Sequence, residues 1–388
     1  MGASLQMSHL GSLMLDGVRI LLTTPYDLSV PGGVNNQLLG LYRYLRRETG
    51  AQVTVIGPSS SPDLQDTPDL LTIGRVIRLK MNGAVSNLTF DLRIRNRIRD
   101  LLRVYQPDII HYQELFAPVL NAFALQFSKA RNIATFHTCG TNQIGYTLGW
   151  PYLQYQARQL HARIAVSDAA RRYVAKRYPG HYHLIPNGID LEVVTRTVPA
   201  VFPQDKRNIL FVGRTTEHRK GFSFLMKAYI RLNRQFPGQY RLIVAGTGQD
   251  AWRNTPGGSD ILWLGQLSDD ALNEAYAGCD LVCAPSIGGE SFGLVLLEAF
   301  AHGKPAVGFH IEGYKDLVGS RPVAELVPNR DAAALAAALH ALSSDPERYD
   351  RMSRSARMLA AEYDWQRVGP QVVALYEQTL SALEGQRL

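Results

Sequence analysis

The sequence predicts an α/β protein made of two successive doubly wound parallel sheets that face each other across a cleft. Short apolar runs alternate with longer stretches of helical period along the chain, the pattern of strands joined by crossover helices. The alternation breaks once, near the middle, at a proline-bearing stretch without clear period, and the 388 residues exceed what one core ordinarily organises. Paired sheets of this kind bind ligands at the C-terminal ends of their strands.

Residues 1–16 (MGASLQMSHLGSLMLD) lack the basic start and sustained apolar core of a signal peptide, and are expected to be a disordered leader with Met7 and Met14 as alternative starts. Residues 17–190 form the first domain, with strand-like runs at Val18–Thr23, Val53–Gly57, Ile109–Tyr112, Ile133–Phe136, Ile164–Ser167 and His183–Pro186. Pro31, Gly32 and Gly33 separate its first strand from a helix carrying Val34, Leu38, Leu41, Tyr42 and Leu45 at helical spacing. Residues 191–207, containing Pro199 and Pro203, are read as a linker. The second domain, 208–364, has runs beginning at Ile209 and continuing through Leu242–Gly246, Ile261–Gly265, Leu281–Ala284, Ala306–Phe309 and Ala324–Val327. Residues 365–388 read as a helix long enough to cross back to the first domain.

Hydrophobic content of 46% with 19% charged residues, and no apolar run long enough to span a bilayer, exclude an integral membrane protein. Cys139, Cys279 and Cys283 make an odd number without a CxxC pair, which fits a reducing cytoplasm. The net charge of +7 is uneven: 20 Lys and Arg oppose 12 Asp and Glu up to Asp190, and 21 oppose 22 beyond it. A basic first half suits nucleic acid, an anionic membrane or an anionic substrate. No interleaved aromatics or binding-fold signature favour nucleic acid.

The densest chemistry lies in GGESFGLVLLE, Gly288–Glu298. The strand-like DLVCA leads into it and FGLVLLEAFA leads out as a helix, so the turn is expected to present the free amides of Phe292, Gly293 and Leu294, a setting that suits phosphate. Glu290 falls in the turn and Glu298 two turns into the helix, where the apolar Leu296, Leu297, Ala299 and Phe300 imply burial and a need for partners. A carboxylate placed there accepts the vicinal hydroxyls of a ribose. The other strand-to-helix loop, GRTTEHRKG, carries Arg214 and Lys220, two cations able to clamp a diphosphate.

These residues resemble the signature of retaining nucleotide-sugar glycosyltransferases of family 4, two glutamates separated by seven residues. The resemblance covers nearly the whole chain after Val18 and extends to the bacterial phosphatidylinositol mannosyltransferases. It rests on VPGGV (Val30–Val34), ATFHT (Ala134–Thr138), RIAVSDAARR (Arg163–Arg172), IPNGID (Ile185–Asp190), VGR with RKG, and GGESFG. It implies the GT-B fold of two Rossmann-like domains. It further implies that Arg214 and Lys220 hold the donor diphosphate, Glu298 the ribose, and Gly32 and Gly33 approach the phosphate from the first domain. Glu290, Ser291 and Phe292 to Leu294 would orient the sugar, and His137 would lie beside the reacting hydroxyl, with Tyr26 and Asn82 also on the acceptor side. An isolated histidine is more often structural; a strand C-terminus at the cleft edge favours the functional reading of His137. No Asp-x-Asp occurs, and a cationic clamp makes a divalent metal dispensable, so neither an essential metal nor a cofactor is expected.

Residues 90–105 (FDLRIRNRIRDLLRVY) read as a helix with Ile94, Ile98, Leu101, Leu102 and Tyr105 on one face. Arg93 and Arg97 border it on one side and Arg95, Arg99 and Arg103 on the other, as suits a helix lying on anionic lipid. The competing reading is an ordinary helix packed on the sheet. Gly246-Thr247-Gly248 lacks the rest of a dinucleotide fingerprint and is read as a nucleotide-side loop or merely a tight turn, and His111 has no second ligand at metal spacing. The expectation is a peripheral membrane enzyme at the cytoplasmic face that moves mannose from GDP-mannose to a phosphatidylinositol-type lipid. A UDP-sugar enzyme acting on diacylglycerol or another acceptor, and a non-catalytic peripheral membrane protein with a degenerate fold, are the alternatives.

Overall fold

A computed structural model describes residues 15–64, 66–81, 84–117, 119–140 and 150–384. The expectations for residues 1–14 and for Asn82 lie outside the described residues, whereas Leu15, read as part of the leader, is fully buried in the core of the first sheet. The chain forms two compact units. One holds the described residues through Met81, Val85–Gly188 and the terminal helix Trp365–Glu384; the other holds Ile189–Asp364.

The first unit is built on β1 (Arg19–Thr23), β2 (Gln52–Gly57), β3 (Leu70–Thr72), β6 (Ile109–Gln113), β7 (Arg131–Phe136), β8 (Ala162–Ala165) and β9 (His183–Leu184), in the order β3-β2-β1-β6-β7-β8-β9. All neighbours are parallel. Strands covered on both faces read as unbroken apolar runs, and Ile20, Leu21 and Leu22 are accordingly fully buried. Strand order reverses between β1 and β6, which makes their C-terminal ends the topological switch point. The helices Gly33–Glu48 and Trp365–Glu384 close one face, with Leu38, Leu41 and Leu45 sharing a core with Val53, Trp365, Val368 and Tyr376.

In the second unit β10 (Arg207–Val212), β11 (Tyr240–Ala245), β12 (Leu262–Gly265), β13 (Leu281–Ala284), β14 (Ala306–Phe309) and β15 (Ala324–Val327) form a parallel sheet ordered β12-β11-β10-β13-β14-β15. Its switch point lies between β10 and β13, the strands that precede GRTTEHRKG and GGESFG.

Four features differ from the sequence reading. The edge strand β3 and a separate two-stranded ribbon, β4 (Val76–Met81) with β5 (Ala84–Thr89), were not anticipated. The stretch read as a linker contains the helix Leu191–Arg196, started by Asp190, whose carboxylate accepts from the amides of Glu192 and Val193. And the arginine-bordered helix spans Ile94–Tyr105, with the apolar face expected to meet lipid turned inward. Ile94, Ile98 and Leu102 are buried, the helix packs on Leu120–Phe127, and the Tyr105 hydroxyl donates to the Gln52 carbonyl at 2.9 Å. A neighbouring helix already covers that face, so it is not available to a bilayer. Arg93, Arg95, Arg97 and Arg99 remain exposed; Arg97 pairs with Asp66 at 3.3 Å and Arg95 lies over the Phe127 ring at 4.8 Å.

Candidate active site

In the second unit the two loops at the switch point meet. A Cβ on Gly221 would run into the Pro285 carbonyl, and with φ at 67° this position suits glycine on both counts. The Ile287 amide donates to the Arg219 carbonyl at 2.8 Å, which stitches the loops together. This brings Lys220 to Glu290, Nζ to Oε1 at 2.6 Å, while the Arg219 guanidinium donates to the same oxygen at 3.0 Å and Ser286 Oγ at 3.2 Å. Burial alone would raise the Glu290 pKa, but Lys220, Arg219 and the hydrogen bonds together hold it below the ordinary carboxylate value. Glu290 is therefore an anion at neutral pH, in contact with Lys220, one of the two cations expected to take phosphate, and with Arg219.

Arg214 extends the same network. It donates to Glu217 Oε1 at 2.9 Å, and Arg219 reaches the other carboxylate oxygen at 3.1 Å. The turn Gly246-Thr247-Gly248 braces this loop from behind: the Thr247 carbonyl accepts from the Thr215 amide at 3.0 Å, and Gly246 lies too close to the Gly213 carbonyl to admit a side chain. That is the role of a tight turn, one of the two readings the sequence offered.

The helix after GGESFG begins at Leu294 and runs to Ala301, with Gly293 at φ 92° as its cap. Of the three amides expected at its N-terminus, those of Phe292 and Gly293 thus precede the helix, because a left-handed glycine starts it two residues later than the sequence pattern suggests. Ser291 is partly buried beside them, and Phe292 is buried against Tyr363. Glu298 has the partner its apolar setting demanded: the Tyr276 hydroxyl donates to Oε2 at 2.7 Å. Burial, opposed by that bond, raises the Glu298 pKa from 4.5 to about 7.

In the first unit His137 follows β7 directly. Its Nε2 lies 2.6 Å from Gln113 Oε1; an amide oxygen only accepts, so Nε2 carries the proton and Nδ1 is left as an acceptor. Burial lowers its pKa to about 3, so the ring is neutral at physiological pH. Glu114, at φ 50°, accepts from the His137 amide and from Thr138 Oγ1, at 2.8 Å for the latter, and fixes the loop after the strand. Burial, reinforced by Glu114, raises the Tyr26 hydroxyl pKa, so Tyr26 stays protonated. Gly32 and Gly33 are exposed at the start of the helix Gly33–Glu48. His111 is held on both nitrogens, by Tyr376 and Thr135, each at 2.6 Å, and is a structural residue.

The structure thus joins Arg214, Lys220 and Glu290 in one network within the second unit, with Glu298 a short way along the helix, and sets His137 and Tyr26 at the switch point of the first. Glu217, Arg219, Ser286 and Tyr276 escaped the sequence reading, as did Gln113 and Glu114. The signal for two of them was present: Glu217 is the sole carboxylate in a loop of cations, and Arg219 adjoins the lysine already singled out.

Residues 31–193 match the model of "Glycosyltransferase Family 4", and residues 206–345 match that of "Glycosyl transferases group 1". The chain is 34% identical to a phosphatidyl-myo-inositol mannosyltransferase of Mycobacterium leprae, over 93% of this chain and 96% of that one. It belongs to glycosyltransferase family 4. A Propionibacterium freudenreichii phosphatidyl-myo-inositol mannosyltransferase is 32% identical, with 92% of this chain and 94% of that one covered. Among solved structures, sucrose-phosphate synthase from Thermosynechococcus elongatus superposes with a TM-score of 0.73 at 22% identity, covering 94% of this chain and all of the other. Anabaena HepE in complex with UDP and glucose gives 0.71 at 18%, over 92% and 98%. These likenesses establish the GT-B fold. As a family 4 glycosyltransferase the protein is a hexosyltransferase, and the two switch points provide its two polar loop clusters.

Proposed function

We propose that this glycosyltransferase moves mannose from GDP-mannose, with retention of configuration, onto a phosphatidylinositol-type lipid at the cytoplasmic face of the membrane. The observation that carries the reading is the network at the β10–β13 switch point in which Arg219 and Lys220 hold Glu290 and Arg214 joins through Glu217, together with relatives that share about a third of their residues over nearly the full chain. Arg214 and Lys220 take the donor diphosphate, and the ionised Glu298 accepts the ribose hydroxyls. Glu290, held by Lys220 and Ser286, accepts from hydroxyls of the sugar.

The acceptor oxygen attacks the anomeric carbon on the face from which the diphosphate departs, and a leaving phosphate oxygen takes the acceptor proton. Negative charge grows on the phosphate as the glycosidic C–O bond breaks, and preorganised cations in a partly dehydrated loop stabilise that charge more than they stabilise the bound donor. Because the cations already supply this stabilisation, no divalent metal is required. Neutral His137 offers Nδ1 as an acceptor to a sugar or acceptor hydroxyl without adding a positive charge. The exposed row Arg93, Arg95, Arg97 and Arg99 attracts the first unit to anionic lipid.

The test is product analysis by mass spectrometry from lipid extract with GDP-mannose or a UDP-sugar, paired with thermal shifts by GDP and UDP. The expected product is a mannosylated phosphatidylinositol, lost on Glu290→Ala, Arg214→Ala or Lys220→Ala, with stabilisation by GDP. Stabilisation by UDP alone overturns the donor assignment and points to the UDP-sugar enzyme, while binding without turnover on any acceptor points to a non-catalytic protein.

A further inference from the structure

Glu217 occupies an unusual place in the loop that follows β10. Its side chain is only 6% exposed, and its carboxylate stands between two guanidinium groups, one oxygen for each: Oε1 to Arg214 Nη1 at 2.9 Å and Oε2 to Arg219 Nη2 at 3.1 Å. Its backbone is equally committed, the amide donating to the Arg214 carbonyl at 3.2 Å and the carbonyl accepting from the Lys220 amide at 2.9 Å. Arg219 continues to Glu290 and to the Gly289 carbonyl, at 3.0 and 3.3 Å. The result is an alternating series, Arg214–Glu217–Arg219–Glu290–Lys220, in which three cations meet two carboxylates.

We propose that Glu217 is a positioning residue for donor binding, one that holds Arg214 and Arg219 in fixed orientation so that a nucleoside diphosphate meets a preformed set of donors. This rests on the reading of Arg214 as a diphosphate ligand. Without the carboxylate, two guanidinium groups a few ångströms from a common point repel each other. Each would also regain the rotamer freedom of a long side chain, a cost then levied on binding. A planar guanidinium held at one nitrogen by a carboxylate oxygen is restricted in the directions its other N–H groups can face, which suits an extended diphosphate better than a small isotropic anion. Glu217 thereby trades positive charge for direction. The site gives up general attraction for anions and gains preference for the diphosphate.

The test uses the full-length enzyme with Glu217→Gln and Glu217→Asp. Glutamine keeps the shape and removes the charge; aspartate keeps the charge but is one methylene too short to span both arginines. Expected is a rise of roughly tenfold or more in KM for the nucleotide-sugar with Glu217→Gln, kcat changing much less, and an intermediate rise with Glu217→Asp; a uniform loss of binding appears in KM rather than kcat. A purely structural role would instead lower the melting temperature and the active fraction with KM unchanged, and that result overturns the proposal. GDP and UDP binding by calorimetry completes a double-mutant cycle with Arg214→Lys, in which coupled losses support the positioning role and additive losses refute it. Should Glu217→Gln not fold, the cycle is run with Glu217→Asp. Arg214→Ala distinguishes the two levels: if it leaves nucleotide binding intact, the diphosphate assignment itself fails. If it abolishes binding while Glu217→Gln does not weaken it, only the present inference fails.

Discussion

Glu298 is the side chain whose chemistry changes most between the written sequence and the folded chain. An exposed helix glutamate would be ionised at any physiological pH; here burial raises the pKa to about 7, with the Tyr276 hydroxyl and Lys220 opposing part of the rise and Asp269 adding to it. The sign of the linkage follows. The folded state holds the proton more tightly than the unfolded state, whose carboxyl titrates near 4.5, so the contribution to stability is fully present below that value and is lost as pH rises through about 7. Glu298→Gln has no such titration. Its melting temperature should exceed that of the wild type at pH 8, and the difference should shrink as pH approaches 4.5; a constant difference across the range would refute the raised pKa. Since the ionised carboxylate is the form that accepts two ribose hydroxyls, donor affinity of the wild type should rise between pH 6 and 8. The mutation that stabilises the fold should also remove that rise. The second-unit carboxylates thus divide by environment: Glu290, ringed by cations, is held ionised, and Glu298, ringed by apolar side chains, is held near its midpoint.

Among the elements, the terminal helix Trp365–Glu384 shows what sequence pattern can and cannot reveal. Its length and apolar period were legible, and so were the strands of both sheets except the short, half-buried edge strand β3, because parallel strands buried on both faces leave continuous apolar runs. Which residues of the first domain the helix packs against was not legible, since contacts between residues more than 300 apart leave no local period. Gly40 and Gly188 both face the Trp365 indole, and Gly369 faces Tyr44, each so closely that a methyl group would overlap the ring. Gly40→Ala should therefore destabilise the first unit by about 1–3 kcal/mol through overpacking, and Trp365→Ala by about 3–5 kcal/mol through loss of a buried aromatic. If the overlap is the cause, the double variant Gly40→Ala/Trp365→Phe should melt above Gly40→Ala alone, and an unaltered melt for Gly40→Ala would dismiss the argument. The β4–β5 ribbon was missed for the opposite reason. VIRLKM and AVSNLT interleave charged and polar residues with apolar ones and so lack a continuous run, although the Asn82-Gly83 dipeptide between them is a strong turn signal. Glu217 was overlooked although it stands out as the sole carboxylate of its loop: a glutamate among cations looks solvated in sequence, and only the fold shows it enclosed.

For the molecule as a whole the informative quantity is the distribution of charge. The excess of Lys and Arg over Asp and Glu belongs to the residues before Asp190, and the structure places part of it on the exposed side of the helix Ile94–Tyr105. Its apolar stripe is committed to the core, so hydrophobic insertion of the helix face is excluded and the lipid attraction proposed above is chiefly electrostatic. Leu92, 68% exposed, and Phe90, 38% exposed, stand just before the helix and add apolar contact at that end only. Electrostatic binding has a recognisable signature: it requires anionic lipid, and it weakens as salt shortens the screening length. A basic side chain near an anionic surface contributes about 1 kcal/mol. Replacing Arg93, Arg95, Arg97 and Arg99 together with Gln should therefore weaken flotation with anionic vesicles by two orders of magnitude or more, at low salt. Binding of the wild type should fall steeply between low and physiological salt and be absent with zwitterionic vesicles. Replacing Leu92 and Phe90 with Ser should have a smaller effect that salt does not alter. Unchanged flotation of the four-arginine variant would remove this helix from the membrane contact and shift the basic surface of the first unit to another role, recognition of a soluble anionic acceptor.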